Sequence, residues 1–147
     1  MSYTQILYQI VFSTKGREET MIKENREKLF RYIWGLLAAK HCVLYQINGV
    51  ENHLHIATHI HPTVSVASLV KDVKVSSSLW IKEQGIFPKF TSWQEKYGAF
   101  TYSIKEKPAL VKYIKNQEAH HHITTFREEF IELLKYHEIE FNEIYLL

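Results

Sequence analysis

Hydrophobic and polar positions alternate with a period of two from Tyr3 to Ser13, where Ile6, Tyr8, Ile10 and Phe12 take one parity and Gln5, Leu7, Gln9 and Val11 the other. Successive side chains of a strand point to opposite faces, so this run predicts a first strand. Leu7 and Val11 give the second face some apolar character, which predicts a helix or a partner covering it. Thr14 to Thr20 reads as a loop. The period then changes: Ile22, Leu29, Phe30, Ile33, Leu36 and Leu37 fall on one helical face, predicting a helix from about Met21 to Lys40. Val43, Tyr45 and Ile47 alternate as a second strand, Asn48-Gly49 marks a turn, and Val50 to Ile60 forms a third strand that Pro62 closes.

Val66, Leu69, Val70, Val73 and Trp80 mark the buried side of a second helix, with Ser65 as its N-cap and Gly85 just past its end. After an irregular stretch containing Pro88, Tyr97 to Ser103 has strand composition, and Gly98 signals a bulge or a close backbone approach. Pro108 suits the first turn of a third helix that places Leu110, Tyr113, Ile114, Gln117 and His121 on one face. Thr125 followed by Glu128 is a capping box for a last helix carrying Phe126, Phe130, Ile131 and Leu134. The tail from Glu138 to Leu147 mixes apolar residues with acids, which predicts docking on a surface. The order β-α-β-β-α-β followed by helices is the α+β, ferredoxin-like split βαβ pattern, an antiparallel sheet with two helices on one side and additional C-terminal helices. No repeat or linker interrupts it, so one domain is expected over 1–147, with a core at about 3–122 and a C-terminal helix and tail at 123–147.

Composition narrows the picture only in part. With 147 residues, 46% hydrophobic and 14% aromatic, the chain can build one core. A net charge of +2 is a weak pointer to nucleic acid, so any basic surface must be local. The single Cys42 excludes an intramolecular disulfide and a cysteine zinc cluster and suits a reducing compartment, with cytoplasm the default. No leader pattern and no run of about 18 apolar residues occurs, so no membrane role is expected.

The candidate chemistry lies in two stretches. His53 and His55 are two residues apart on a strand, so both imidazoles point to one face and can hold one ion between them. His59 and His61 share that parity, and alternation cannot say which of the four matter. Tyr113 and Gln117 are four residues apart on a helix, where a nucleophile and a third ligand would stack on one face. Taken singly these are ordinary residues; His120 to His122 read as a solvated helix end and Cys42 as a packed residue of strand two. Their conjunction is specific.

The chain resembles the HUH-type single-tyrosine transposases, the insertion-sequence 200-like group and the related transposases associated with repetitive extragenic palindromes. The resemblance runs from about Tyr3 to His122 and rests on Tyr8-Gln9-Ile10-Val11-Phe12-Ser13, Asn52-His53-Leu54-His55 with Pro62 after it, Leu69 to Ser78, Trp93-Gln94-Glu95-Lys96-Tyr97, and Lys112-Tyr113-Ile114-Lys115-Asn116-Gln117 with His121 and His122 behind. It implies that His53 and His55 are a metal-binding pair, Gln117 the third ligand and Tyr113 the nucleophile, while His59 and His61 have no catalytic role. It implies a divalent metal, magnesium or manganese, and ligand softness favours manganese. The implied reaction is cutting and rejoining of single-stranded or hairpin DNA through a 5′-phosphotyrosyl link, by a homodimer in the cytoplasm associated with the nucleoid. Lys71, Lys74, Lys112 and Lys115 are candidate phosphate contacts, and Tyr97, Phe100 or Tyr102 candidate stacking surfaces. Asn52 stands where many members carry Asp, and either can orient a neighbour through its side-chain oxygen. A non-catalytic module binding single strands and a metal-dependent hydrolase using water are the competing expectations.

Overall fold

The computed structural model describes residues 2–146. Four strands, β1 (Leu7–Ser13), β2 (Val43–Gly49), β3 (His53–His59) and β4 (Gly98–Tyr102), form one sheet in the order β2-β3-β1-β4 with every pairing antiparallel. This is the expected ferredoxin-like arrangement, and β1 and β3 occupy its interior. The register sets Val11 against His55 and Ser13 against His53.

Period-two alternation divides the sheet's residues between two layers. Ile10, Phe12, Leu54 and Ile56 face helices α1 (Lys23–Ala39) and α2 (Val66–Gln84), where they pack with Leu29, Ile33 and Leu37 in the main core. Those three leucine and isoleucine side chains are fully buried, each worth about 1.5–3 kcal/mol relative to exposure. Ser65 caps α2 by accepting from the Ser68 N–H, and Gly85 ends it at φ 62°, a left-handed conformation that glycine adopts without a Cβ clash.

Leu7, Val11 and Ala57 lie on the other face, which α3 (Lys107–Lys115) and α5 (Phe126–Tyr136) of the same chain cover. The apolar character read on that side of β1 is therefore met by C-terminal helices of the chain itself. Gly98 faces the same layer: a Cβ there would come within 2.7 Å of the Phe130 ring, which explains the glycine as a close approach. The Thr125 and Glu128 capping box opens α5 as the sequence implies. Phe141 and Leu146 pack against the α5 cluster, so the tail docks; Leu147 lies outside the described residues.

Two boundaries differ from expectation. The hairpin turns at residues 50–52, not at Asn48-Gly49, and β3 begins at His53. Gly49 still pairs with Leu54, and it is glycine because a Cβ would meet the His53 carbonyl at 2.5 Å. Asn48 is drawn elsewhere, its Nδ2 donating to the carbonyls of Ile114 and Lys115 at 3.0 Å each, which satisfies the open end of α3. The third predicted helix is also two: α3 ends at Lys115, Asn116 lies between, and α4 (Gln117–His121) follows.

Candidate active site

The hairpin and the break after α3 bring the two predicted stretches together. His53 and His55 are buried on β3, facing the layer of α3 and α5, with ring centroids 5.1 Å apart. Gln117, the first residue of α4, is also buried and sets its Oε1 3.2 Å from His53 Nε2. Tyr113 packs edge-on against His55 with centroids 5.7 Å apart, so the phenol of this chain reaches the histidine pair of this chain.

Both imidazoles are oriented from behind. His53 Nδ1–H donates to Asn52 Oδ1 at 2.8 Å, and His55 Nδ1–H donates to Gln9 Oε1 at 2.7 Å. Gln9 is fixed in turn, its Nε2 donating to the Tyr102 hydroxyl at 2.6 Å. An amide oxygen accepts only, so these contacts select the tautomer and direct each Nε2 inward. Phe126 stacks on the His53 ring with centroids 4.3 Å apart. Burial holds His53 below its ordinary value, against the pull of Glu129.

Glu129, on α5, stands at the centre of this arrangement, and the sequence reading missed it. It is 2% exposed. Its Oε1 lies 3.2 Å from the Nε2 of both His53 and His55. Its Oε2 accepts from Gln117 Nε2 at 3.0 Å and from the Tyr113 hydroxyl, with His120 Nε2 at 3.3 Å. Burial works to raise this carboxyl, and the histidine pair outweighs burial and holds it below the ordinary carboxylate range. The Tyr113 phenol is pushed well above its ordinary value, first by burial and then by the Glu129 charge. The nearest signal in the sequence is an acid on the Phe126 and Phe130 face of an amphipathic helix, which acquires a role only once α5 lies over β3.

The other predicted residues divide. Lys112 and Lys115 are exposed on α3 beside Tyr113. Lys71 and Lys74 are on α2, across the sheet from the histidine pair, and Lys74 spends its ammonium on the carbonyls of Gln94, Glu95 and Lys96. Phe100 is buried against Phe130 and His137, and Tyr102 is bonded to Gln9, its phenol pushed up to about 12 by burial. His59 accepts from the Ile6 N–H and His61 contacts Thr63, away from the site. His120 and His121 are half-buried rather than solvated, and the His121 ring is 6.0 Å from that of His53. Cys42 is buried just before β2.

Comparison with known proteins bears on what such a site belongs to. The family model described as IS200-like transposase matches residues 2–117. The transposase for insertion sequence element IS200 of Salmonella typhimurium is 27% identical over 114 residues, 75% of each chain, and that of Salmonella typhi matches equally. Among solved structures, a protein of Deinococcus radiodurans R1 assigned as a transposase superposes with a TM-score of 0.63 at 18% identity, covering 79% of this chain and 93% of the other. A REP-associated tyrosine transposase bound to a REP hairpin superposes with a TM-score of 0.61 at 13% identity, covering 82% and 72%. Both structures share the fold. Among the described residues no helix is long and apolar enough to cross a membrane.

Proposed function

This chain belongs to the IS200-like transposase family, and we propose that it cuts and rejoins single-stranded DNA through a covalent bond between Tyr113 and a 5′-phosphate. The observation that best supports this reading is the meeting of a phenol, two inward-facing imidazoles and a carboxamide on one buried face. In the first step the Tyr113 oxygen attacks phosphorus, the bond from phosphorus to the 3′ oxygen breaks, and that oxygen leaves as a hydroxyl after taking a proton from water. One phosphoester replaces another, so attack by the same or another 3′-hydroxyl reverses the step without a nucleotide cofactor.

The chain's own groups prepare this attack. Asn52 and Gln9 hold both rings with Nε2 inward. Glu129 Oε2 already accepts the phenolic hydrogen bond and so orients the Tyr113 oxygen, whose proton is lost to water as attack proceeds, balancing the one the 3′ oxygen takes up. The donor set of His53, His55 and Gln117 fits a divalent ion, since two ring nitrogens and a carbonyl oxygen converge there as acceptors. Magnesium or manganese held by those residues supplies, when bound, Lewis-acid polarisation of a phosphate oxygen and positive charge against a developing phenolate.

Single strands suit the surroundings. Tyr113 lines two open hollows, one of about 620 Å³ with Tyr102, Lys105 and Tyr136, the other of about 450 Å³ with Lys112 and His120. An unpaired backbone can bend from one to the other past the phenol, with Lys112 and Lys115 as phosphate contacts. Recognition of a DNA hairpin, assembly as a homodimer and a place in the cytoplasm beside the nucleoid complete the proposal on family resemblance. A labelled single-stranded oligonucleotide incubated with the protein and manganese tests it: a covalent adduct lost in Tyr113→Phe is expected. Cleavage that survives Tyr113→Phe would make the protein a hydrolase, and binding without cleavage would make it a binding module.

A further inference from the structure

Among the described residues neither lysine nor arginine pairs with Glu129; the side chains that face its oxygens are the imidazoles of His53, His55 and His120, the Gln117 amide and the Tyr113 hydroxyl. A carboxylate this buried is costly without positive charge beside it. The Nδ1 protons of His53 and His55 are committed to Asn52 and Gln9, so in the neutral rings each Nε2 presents a lone pair. Gln117 gives its N–H to Glu129 Oε2 and turns its carbonyl oxygen toward His53. Four acceptor atoms, His53 Nε2, His55 Nε2, Gln117 Oε1 and Glu129 Oε1, therefore face one another, and three of the separations between them are 3.2 Å. Neighbouring ligand atoms around an ion with bonds of about 2.1 Å stand roughly 3.0–3.4 Å apart.

We propose that Glu129 Oε1 is a fourth protein ligand, so that α5 closes the metal site that His53, His55 and Gln117 begin. The inference rests on the metal-dependent reading given above and extends it beyond residues 2–117, the part that the family model matches. It gives the site a net charge of −1 in place of zero, which retains a divalent ion more firmly and adds a hard oxygen donor of the kind manganese and magnesium favour. It also makes one side chain serve two ends. While Oε1 meets the ion, Oε2 holds the Tyr113 hydroxyl and the Gln117 amide, so the nucleophile is positioned relative to the ion through a single carboxylate.

Manganese titration of the full chain, with free ion read by electron paramagnetic resonance, tests this without any turnover. Glu129→Gln keeps the shape and removes the charge. It is expected to weaken manganese binding about tenfold or more, with an unchanged circular dichroism spectrum. In the wild type, manganese is expected to slow amide exchange across 126–136, and this protection is expected to vanish in the variant. Equal or tighter binding by a folded Glu129→Gln, alongside loss of binding in His53→Ala, would overturn the role of Glu129 and leave the His53, His55 and Gln117 site standing. No manganese binding by the wild type would overturn both. Should Glu129→Gln fail to fold, exchange in the wild type decides: protection reaching 126–136 supports the ligand, and protection confined to β3 and α4 overturns it.

Discussion

The carbonyl oxygen of Gln117 lies 3.2 Å from Nε2 of His53, although 64 positions separate them in the chain. Neither residue reaches this contact through its own element. His53 is aimed by the hairpin that Gly49 allows to close, and Gln117 by the break at Asn116 that turns the chain after α3. If the pair serves metal-assisted cleavage, His53→Ala or treatment with EDTA stops cleavage of a single-stranded substrate while gel-shift binding largely persists. Equal loss of both would mean that the histidine supports the fold rather than the reaction.

The groups behind the imidazoles give a second prediction. Asn52→Ala and Gln9→Leu each free one Nδ1–H from its acceptor. A ligand ring that loses its orienting partner typically costs metal affinity about 10–100-fold. Manganese titration of each variant is expected to show a loss in that range, measured where urea unfolding shows the variant still folded, since unpairing a buried imidazole N–H itself costs about 1–3 kcal/mol. Wild-type affinity in both would contradict the orienting role.

Asn48 ties the edge strand to the helix that carries Tyr113. Asn48→Ala removes two hydrogen bonds to the last carbonyls of α3, and a loss of about 1–3 kcal/mol in unfolding free energy is expected. Amide exchange should quicken across 112–116. A stability equal to wild type would show that water satisfies those carbonyls as well as Asn48 does.

Dimerisation rests on family resemblance, since the apolar side of β1 that first suggested a partner is covered by α3 and α5. Sedimentation at micromolar concentration is expected to give the mass of two chains. A monomer mass would remove the partner from the account and leave the Tyr113 and His55 contact of one chain as the complete arrangement.

The parts of this molecule that repeat locally were legible in its sequence. Alternation along Ile10 and Phe12, the Ser65 and Gly85 ends of α2 and the Thr125 capping box each depend on neighbours a few residues away. The turn at 50–52 was misplaced because Asn48-Gly49 carries a turn's composition, while Asn48 is used to cap α3 and Gly49 to admit the His53 carbonyl. The two stretches of the site were visible because their spacings resemble those of a known family. Glu129 was not, since a carboxylate among Phe126 and Phe130 becomes meaningful only when α5 is laid over β3. Lys74 shows the converse, a cation that resembles a DNA contact in sequence and is bound to three backbone carbonyls in the fold.

The most direct measurement is to find the atom that DNA becomes attached to. A single-stranded substrate with sulfur in place of the 3′ bridging oxygen at the scissile bond, incubated with manganese and the full chain, leaves a thiol that reverses poorly, so the adduct accumulates. Digestion and mass spectrometry are expected to locate the nucleotide on Tyr113 and nowhere else, with no adduct in Tyr113→Phe. A nucleotide carried by another side chain, or a free 5′-phosphate that has taken its oxygen from labelled water with no adduct formed, would contradict the account.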